Sequence, residues 1–164
     1  MLLLMNRVGM GFDSHRFVEG RPLKLCGVKV PFGKGLDGHS DADAPIHALV
    51  DAMFGASGLG DIGEVFPDTD PKWKDADSTT LLSEAMGMLL QVGWVVGNCD
   101  ITIVCENPKL GPHKLAMREK IADLLGLDMS AVSVKAKTAE GMGFCGAGEG
   151  IAAYAVVILE EATE

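Results

Sequence analysis

Followed for the spacing of its apolar positions, the chain separates into stretches of period two and stretches of helical period. From Arg7, RVGMGF (7–12) predicts a short first strand whose glycines let another backbone come close. LKLCGVKVPF, Leu23 to Phe32, alternates apolar and polar residues and predicts a β-hairpin or exposed ribbon. GHSDADAPIHALVDAMFGASG then takes helical spacing. Ser40 or Asp41 can cap this helix, Pro45 fits its first turn, and Gly55 and Gly58 bring it to a close. Between Gly58 and Asp77, glycine, proline and aspartate recur throughout, and a loop of that length inside a compact domain is functional or mobile.

Helical periodicity returns from Ser78, the expected N-cap, to Val92. NCDITIVCENP (98–108) is a β-branched strand that Pro108 ends. Leu115 to Leu125 predicts a third helix, with Gly126 placed beyond its C-terminus. VSVKAKT (132–138) alternates as a strand, and GIAAYAVVILEE (150–161) predicts a final, mostly buried one. Interleaved strands and helices imply an α/β fold of the layered α+β sandwich kind, with one mixed β-sheet covered by helices.

A length of 164 residues suits a single domain, taken as 1–164, and suffices to bury a real core. The net charge of −9 argues against a nucleic-acid binder or a membrane-surface binder, since both need a basic face. It also means that an anionic substrate must be held by local cations, which a divalent metal supplies. Cys26, Cys99, Cys105 and Cys145 form no CxxC pair and read as reduced, buried thiols, so the expected compartment is cytoplasmic. The opening MLLLMNRV is too short to span a bilayer, lacks a signal-peptide layout and reads as a start-site extension entering the first strand.

The candidate chemistry begins at GFDSHRF. In a strand Asp13 and His15 point to one face with Cα atoms roughly 6–7 Å apart, close enough to share an ion. Taken alone, the pair reads first as a polar strand edge beside a loop. A third ligand is available in HSDADAPIHAL, where Asp43, His47 and Asp51 fall on one helical stripe. There His47 can reach a metal while a carboxylate of the same stripe orients its ring. By itself this segment is also a capped amphipathic helix with a satisfied histidine. Two imidazoles and one carboxylate with an open fourth position are typical of catalytic zinc.

The joint pattern is more specific than any of its parts. GFDSHRF, GHSDADAPIHAL, GDIGEVFPDTDP and KxTxExxGFxGxGEGI, in this order and at this spacing, resemble the 2-C-methyl-D-erythritol 2,4-cyclodiphosphate synthase family from about Arg7 to Glu160. The resemblance implies an α/β homotrimer with intersubunit active sites. It implies conversion of 4-diphosphocytidyl-2-C-methyl-D-erythritol 2-phosphate to the 2,4-cyclodiphosphate with release of CMP, in the non-mevalonate isoprenoid pathway. The 2-phosphate oxygen attacks the β-phosphorus, so positioning and charge neutralisation carry the rate.

Residue by residue, the resemblance gives Asp13, His15 and His47 as zinc ligands and Glu140 as ligand of a second ion, magnesium or manganese. His39 and Ser40 match phosphate contacts, with His39 stabilising the transition state, although Ser40 is also a plain cap and His39 a solvated loop residue. Asp61, Ile62 and Gly63, and then Phe66, Pro67, Asp68, Thr69 and Asp70, match the segments that bind the methylerythritol hydroxyls, in a loop expected to act as a lid. The competing reading is an acidic turn. The cytidine pocket corresponds to Cys105, Glu106, Asn107, Pro108, Lys109, Leu110 and Gly111, where Lys109 is alternatively a solvated lysine. Thr138 matches a transition-state hydroxyl, and Lys137, Ala139, Phe144 and Ala147 complete the matched substrate positions.

Three positions depart from the family pattern. Gly141 stands where lysine is frequent, Ala147 where arginine is usual, and Lys137 where threonine is frequent. The arginine sits with a glutamate, here Glu149, near the trimer axis, and its absence puts a phosphate or isoprenoid-diphosphate site there in doubt. A zinc deaminase is excluded because no PCxxC segment and no glutamate beside a ligand histidine exist. A non-catalytic, metal-stabilised nucleotide-binding trimer would keep the zinc ligands and lose His39, Thr138 or Glu140, and all three are present. GMGF is no dinucleotide fingerprint, since no third glycine follows in register. Some relatives fuse this domain to a cytidylyltransferase, and at this length the chain is expected to carry the cyclisation alone.

Overall fold

The computed structural model describes residues 5–163, so the first four residues of the expected start-site extension lie outside the described residues. Seven strands and five helices follow in the order β1 (Arg7–Glu19), β2 (Leu23–Leu25), β3 (Val28–Val30), β4 (Lys34–Leu36), α1 (Ala44–Ser57), α2 (Ile62–Val65), α3 (Ser78–Gln91), β5 (Trp94–Val104), α4 (Lys114–Leu125), β6 (Val132–Lys137), α5 (Gly143–Gly146) and β7 (Gly150–Glu161). Single 3-10 turns stand at Pro71–Trp73, Gly111–His113 and Met129–Ala131.

The main sheet runs β4-β1-β7-β5-β6, and β2 and β3 form a separate two-stranded ribbon. β1 is antiparallel to β4 and β7, β5 is antiparallel to β7, and β5 is parallel to β6. The mixed sheet covered by helices expected from the sequence is therefore found. α1 packs on β1 and β7, and α4 packs on β6, all from one side. Phe54, Leu49, Met53, Ile101 and Ile103 are among the fully buried side chains between the layers. Each is worth about 1.5–3 kcal/mol of burial.

Glycines set how closely the layers approach. A β-carbon on Gly9 would stand 2.0 Å from the Ala52 carbonyl oxygen, and one on Gly11 would stand 1.9 Å from that of Ala48. No real side chain tolerates such contact, so α1 lies on β1 backbone to backbone, as the glycine spacing implied.

The other face of the sheet is apolar and open. Val8, Met10 and Phe12 of β1 and Tyr154 and Val156 of β7 are exposed there, with the Phe12 and Tyr154 rings 5.0 Å apart. No helix among the described residues is long and apolar enough to cross a membrane.

Element boundaries moved where tertiary pairing overrode local signals. β1 continues to Glu19 rather than ending at Phe12, because β7 pairs along it as far as Arg16 and β4 pairs with it from Phe17 to Glu19. β5 begins at Trp94 and stops at Val104, before the Pro108 expected to end it. The α1 cap is Asp43, whose carboxylate accepts from Ile46 N–H, rather than Ser40 or Asp41, and the α3 cap is Asp77 rather than Ser78. Gly58 ends α1 in the left-handed conformation, while Gly55 lies inside the helix. Lys34–Leu36 and Gly143–Gly146 are elements too short for any periodic signal.

Candidate metal centre and active site

β1 presents Asp13 and His15 on the face that meets α1, two residues beyond the close contact at Gly11, and α1 offers His47 from its first turn. The three side chains converge. His15 Nε2 is 2.8 Å from Asp13 Oδ2, His47 Nδ1 is 3.0 Å from the same oxygen, and the two ring nitrogens are 3.2 Å apart. Among the described residues, no other trio of histidine, cysteine or carboxylate side chains brings ligand atoms together in this way.

The outward nitrogens of both rings are already engaged. His15 Nδ1 lies 2.6 Å from the Asp37 carbonyl oxygen, which can only accept, so this nitrogen carries a hydrogen. His47 Nε2 lies 2.9 Å from Ser78 Oγ and 3.1 Å from Ser40 Oγ. In the neutral rings, the lone pairs of His15 Nε2 and His47 Nδ1 then face each other and a carboxylate, an arrangement that calls for a cation between them. Burial acts to raise the Asp13 pKa, but hydrogen bonds and charge from His15 and His47 win and lower it to about 2. Burial likewise acts to lower the His15 pKa, and Asp13 overcomes it, leaving His15 above its ordinary value.

Tetrahedral zinc with ligands at about 2.0–2.1 Å keeps ligand atoms about 3.3 Å apart. Small outward shifts of the observed trio meet that spacing, so its residues fit a zinc ion with an open fourth position.

The partner of the His47 ring differs from the sequence expectation. Asp43 shares its helical stripe but does not orient the ring. Its buried carboxylate accepts from the backbone N–H of Cys26, Gly27 and Ile46, fixing the β2–β3 ribbon to the start of α1. Burial pushes the Asp43 pKa up to about 6. The side-chain partners of the outward nitrogen, Nε2, are two serines instead.

The trio opens into a cavity of about 440 Å³. His39, Ser40 and Asp68 give it a polar rim, and Ile62, Gly63, Phe66, Trp73 and Leu81 form an apolar wall. Arg21 holds the rim in place: Nη1 donates to the Gly38 carbonyl at 2.7 Å, and Nη2 donates to that of Ser40. Across from it, the Asp75 N–H donates to the His39 carbonyl at 2.8 Å. The long loop is thus strapped to the rim it was expected to cover. Phe66 and Trp73 pack edge to face with centroids 4.8 Å apart, and Lys72 lies over the Trp73 ring.

Other sequence-derived positions serve local structure. Asp61 caps α2, accepting from Glu64 N–H while the Glu64 carboxylate accepts from Asp61 N–H. Asp70 caps the turn that begins at Pro71, with Pro67 and Thr69 in the connecting bend. Cys105, Lys109, Leu110, Gly111, Lys137 and Thr138 border a second cavity of about 260 Å³, which shares no lining residue with the first. Glu106 ties its two walls, accepting from the Ala139 N–H at 2.9 Å, and Asn107 and Pro108 form the turn between them. Thr138 Oγ1 donates to Glu140 at 2.7 Å, and Glu140 holds a left-handed φ of 52° on an exposed turn. A non-glycine residue kept there is a strained feature of the kind found at ligand-binding turns.

Phe144 joins Ser14, His15, Arg16 and Glu149 around a third cavity, which Ala147 does not line. Trp73, Leu81, Ser78 and Arg21 were not singled out from the sequence as site residues. Only Trp73, a large apolar residue inside a polar loop, carried a signal that pointed to it.

The YgbB family model matches residues 6–160. A 2-C-methyl-D-erythritol 2,4-cyclodiphosphate synthase of Xanthomonas axonopodis pv. citri is 56% identical over 153 residues, covering 93% of this chain and 92% of that protein. A bifunctional enzyme IspD/IspF of Novosphingobium aromaticivorans is 59% identical over 150 residues, and the match takes in 92% of this chain and 39% of that longer protein. Among solved structures, a 2C-methyl-D-erythritol-2,4-cyclodiphosphate synthase in a CDP-bound form superposes with a TM-score of 0.86 at 43% identity, covering 93% of this chain and 99% of that one.

Proposed function

Because the chain belongs to the YgbB family, that of the 2-C-methyl-D-erythritol 2,4-cyclodiphosphate synthases, we propose that it closes the cyclic diphosphate of 4-diphosphocytidyl-2-C-methyl-D-erythritol 2-phosphate and releases CMP in the non-mevalonate isoprenoid pathway. The observation that carries the reading is the convergence of Asp13, His15 and His47 on one point at the edge of a cavity rimmed by His39 and Ser40. Asp13, His15 and His47 would hold zinc, and Glu140 a second ion, magnesium or manganese. Such cations, when bound, neutralise phosphate charge and act as Lewis acids at the phosphorus under attack.

The protein's own part is placement. Ser40 Oγ accepts the Ala42 N–H, which leaves its hydroxyl hydrogen free to donate to a phosphate oxygen in the cavity. His39 stands on the same rim, held by Arg21 and Asp75, and would stabilise negative charge gathering on the phosphorus oxygens. The apolar wall of Ile62, Phe66, Trp73 and Leu81 excludes water, so the internal 2-phosphate oxygen outcompetes hydrolysis. Thr138, Lys109 and the 105–111 turn would take the cytidine diphosphate end, with CMP leaving from there.

The two cavities are separate in one chain, and the sheet leaves an apolar face open. Both features support a homotrimer in which each site takes its metal half from one subunit and its nucleotide half from a neighbour. The test is CMP release from the natural substrate by chain stripped with a chelator and resupplied with zinc and magnesium. Restored turnover is the expected result. Zinc uptake without CMP release would overturn the catalytic reading.

A further inference from the structure

His47 Nε2 has two hydroxyl neighbours that do not play the same part. Ser78 Oγ, the nearer at 2.9 Å, donates its own hydrogen to Asp41 Oδ1. With that hydrogen committed, Ser78 can only accept from the ring, so His47 Nε2 carries its hydrogen and leaves the Nδ1 lone pair toward Asp13 and His15. Asp41 is held in turn: its carboxylate takes the Ser78 N–H at 3.2 Å, the Asp43 N–H at 3.3 Å and Lys24 Nζ at 3.1 Å. Lys24 is pinned from its other side by Asp77 at 2.6 Å. Ser78 is fully buried.

We propose that Asp41 is a positioning residue for the metal centre, acting through the Ser78 hydroxyl to fix the tautomer and raise the ligand strength of His47. A carboxylate that orients a metal-bound histidine ordinarily contacts the ring itself. Here a serine stands between them, and the serine opens α3, directly after the loop that borders the cavity. The relay therefore joins the end of that loop to the metal ligand, and the Asp41 N–H donating to the Ala76 carbonyl at 3.0 Å reinforces the joint.

The inference rests on the metal reading of Asp13, His15 and His47, and the test separates the two. Zinc affinity is measured by competition with a chromogenic chelator for the wild type, Ser78→Ala, Asp41→Asn and the double variant, alongside the visible spectrum of the cobalt-loaded forms. The relay predicts a loss of about 10–100-fold in affinity for each single variant, the range for removing a partner behind a metal ligand. It predicts a double variant no weaker than the worse single, because both break one chain, together with a shifted cobalt band. Ser78→Thr keeps the hydroxyl and restores affinity.

Additive losses in the double variant, or an unchanged cobalt band, overturn the relay, since a purely structural role gives either. Should Ser78→Ala fold poorly, Lys24→Met, which frees Asp41 from outside the site, is expected to weaken zinc in the same direction. Wild-type affinity in Ser78→Ala removes the relay and leaves the metal reading standing. A wild type that takes up no zinc removes both.

Discussion

Gly11 and Ala48 fix the distance between strand and helix: a β-carbon added at Gly11 would stand 1.9 Å from the Ala48 carbonyl oxygen. Ala48 follows His47, and Gly11 lies two residues before Asp13. This contact is therefore the gauge that brings the metal trio into range. Gly11→Ala is expected to push α1 outward, to cost at least about 1–3 kcal/mol through overpacking and to weaken zinc binding with it. Thermal unfolding and a zinc titration check both effects. Gly33→Ala, where the added carbon meets nothing within 4 Å, is the silent control.

Metal uptake should depend on pH in one direction. Asp13, at about 2, is ionised throughout the working range and contributes no proton. His15 is raised by Asp13 above its ordinary value, so the metal-free protein keeps a proton there that zinc must displace. Apparent zinc affinity is expected to climb from about pH 6 upward and to level off once His15 has lost its proton, above its ordinary pKa of about 6.5. Proton release on zinc addition in weak buffer, large near the low end of that range and absent at the high end, checks the sign. A flat profile would remove His15 from the ligand set.

How much of this was legible beforehand follows from range along the chain. Asp13 and His15 share a face by strand alternation, and the glycines at 9 and 11 announce a close approach, so both could be read locally. The ribbon at Leu23–Val30 and the αL glycines 58 and 126 were likewise local signals. That His47 meets them needs the β1–α1 packing, which spacing alone does not give, and the joint motif pattern supplied it. Helical spacing offers His47 a carboxylate of its own stripe, Asp43 or Asp51, but Asp43 caps the helix and takes the Cys26 and Gly27 N–H groups, and Asp51 takes the Ile62 N–H. Ser78 is 31 residues from His47, and nothing near it in the sequence marks it as a partner.

Asp77 gives a second pH dependence, at the acid end of the scale. Burial acts to raise its pKa, but hydrogen bonds from Lys24 and Thr79 prevail and lower it to about 2. A depressed carboxylate contributes stability that is present above its unfolded value of about 3.9 and lost as pH falls through the folded value. Asp77 also caps α3. Asp77→Ala is expected to cost about 1 kcal/mol near neutrality, chiefly as the lost cap, and to approach the wild type as pH falls toward 2. Urea unfolding at a series of acid pH values measures the convergence.

Assembly and metal binding can be separated, because Asp13, His15 and His47 lie within one chain while the proposed nucleotide half of each site comes from a neighbour. Met10 projects from the open face of β1, opposite the face that carries Asp13 and His15. A charge buried there in a trimer interface, repeated in each copy, has no partner and costs several kcal/mol. Met10→Glu is expected to give monomers at micromolar concentration by light scattering and to abolish CMP release. Zinc affinity should stay within about threefold of the wild type, since no ligand or ligand partner is touched. A monomeric Met10→Glu that still releases CMP at the full rate would show that one chain holds the whole site, and the division between subunits would have to be given up.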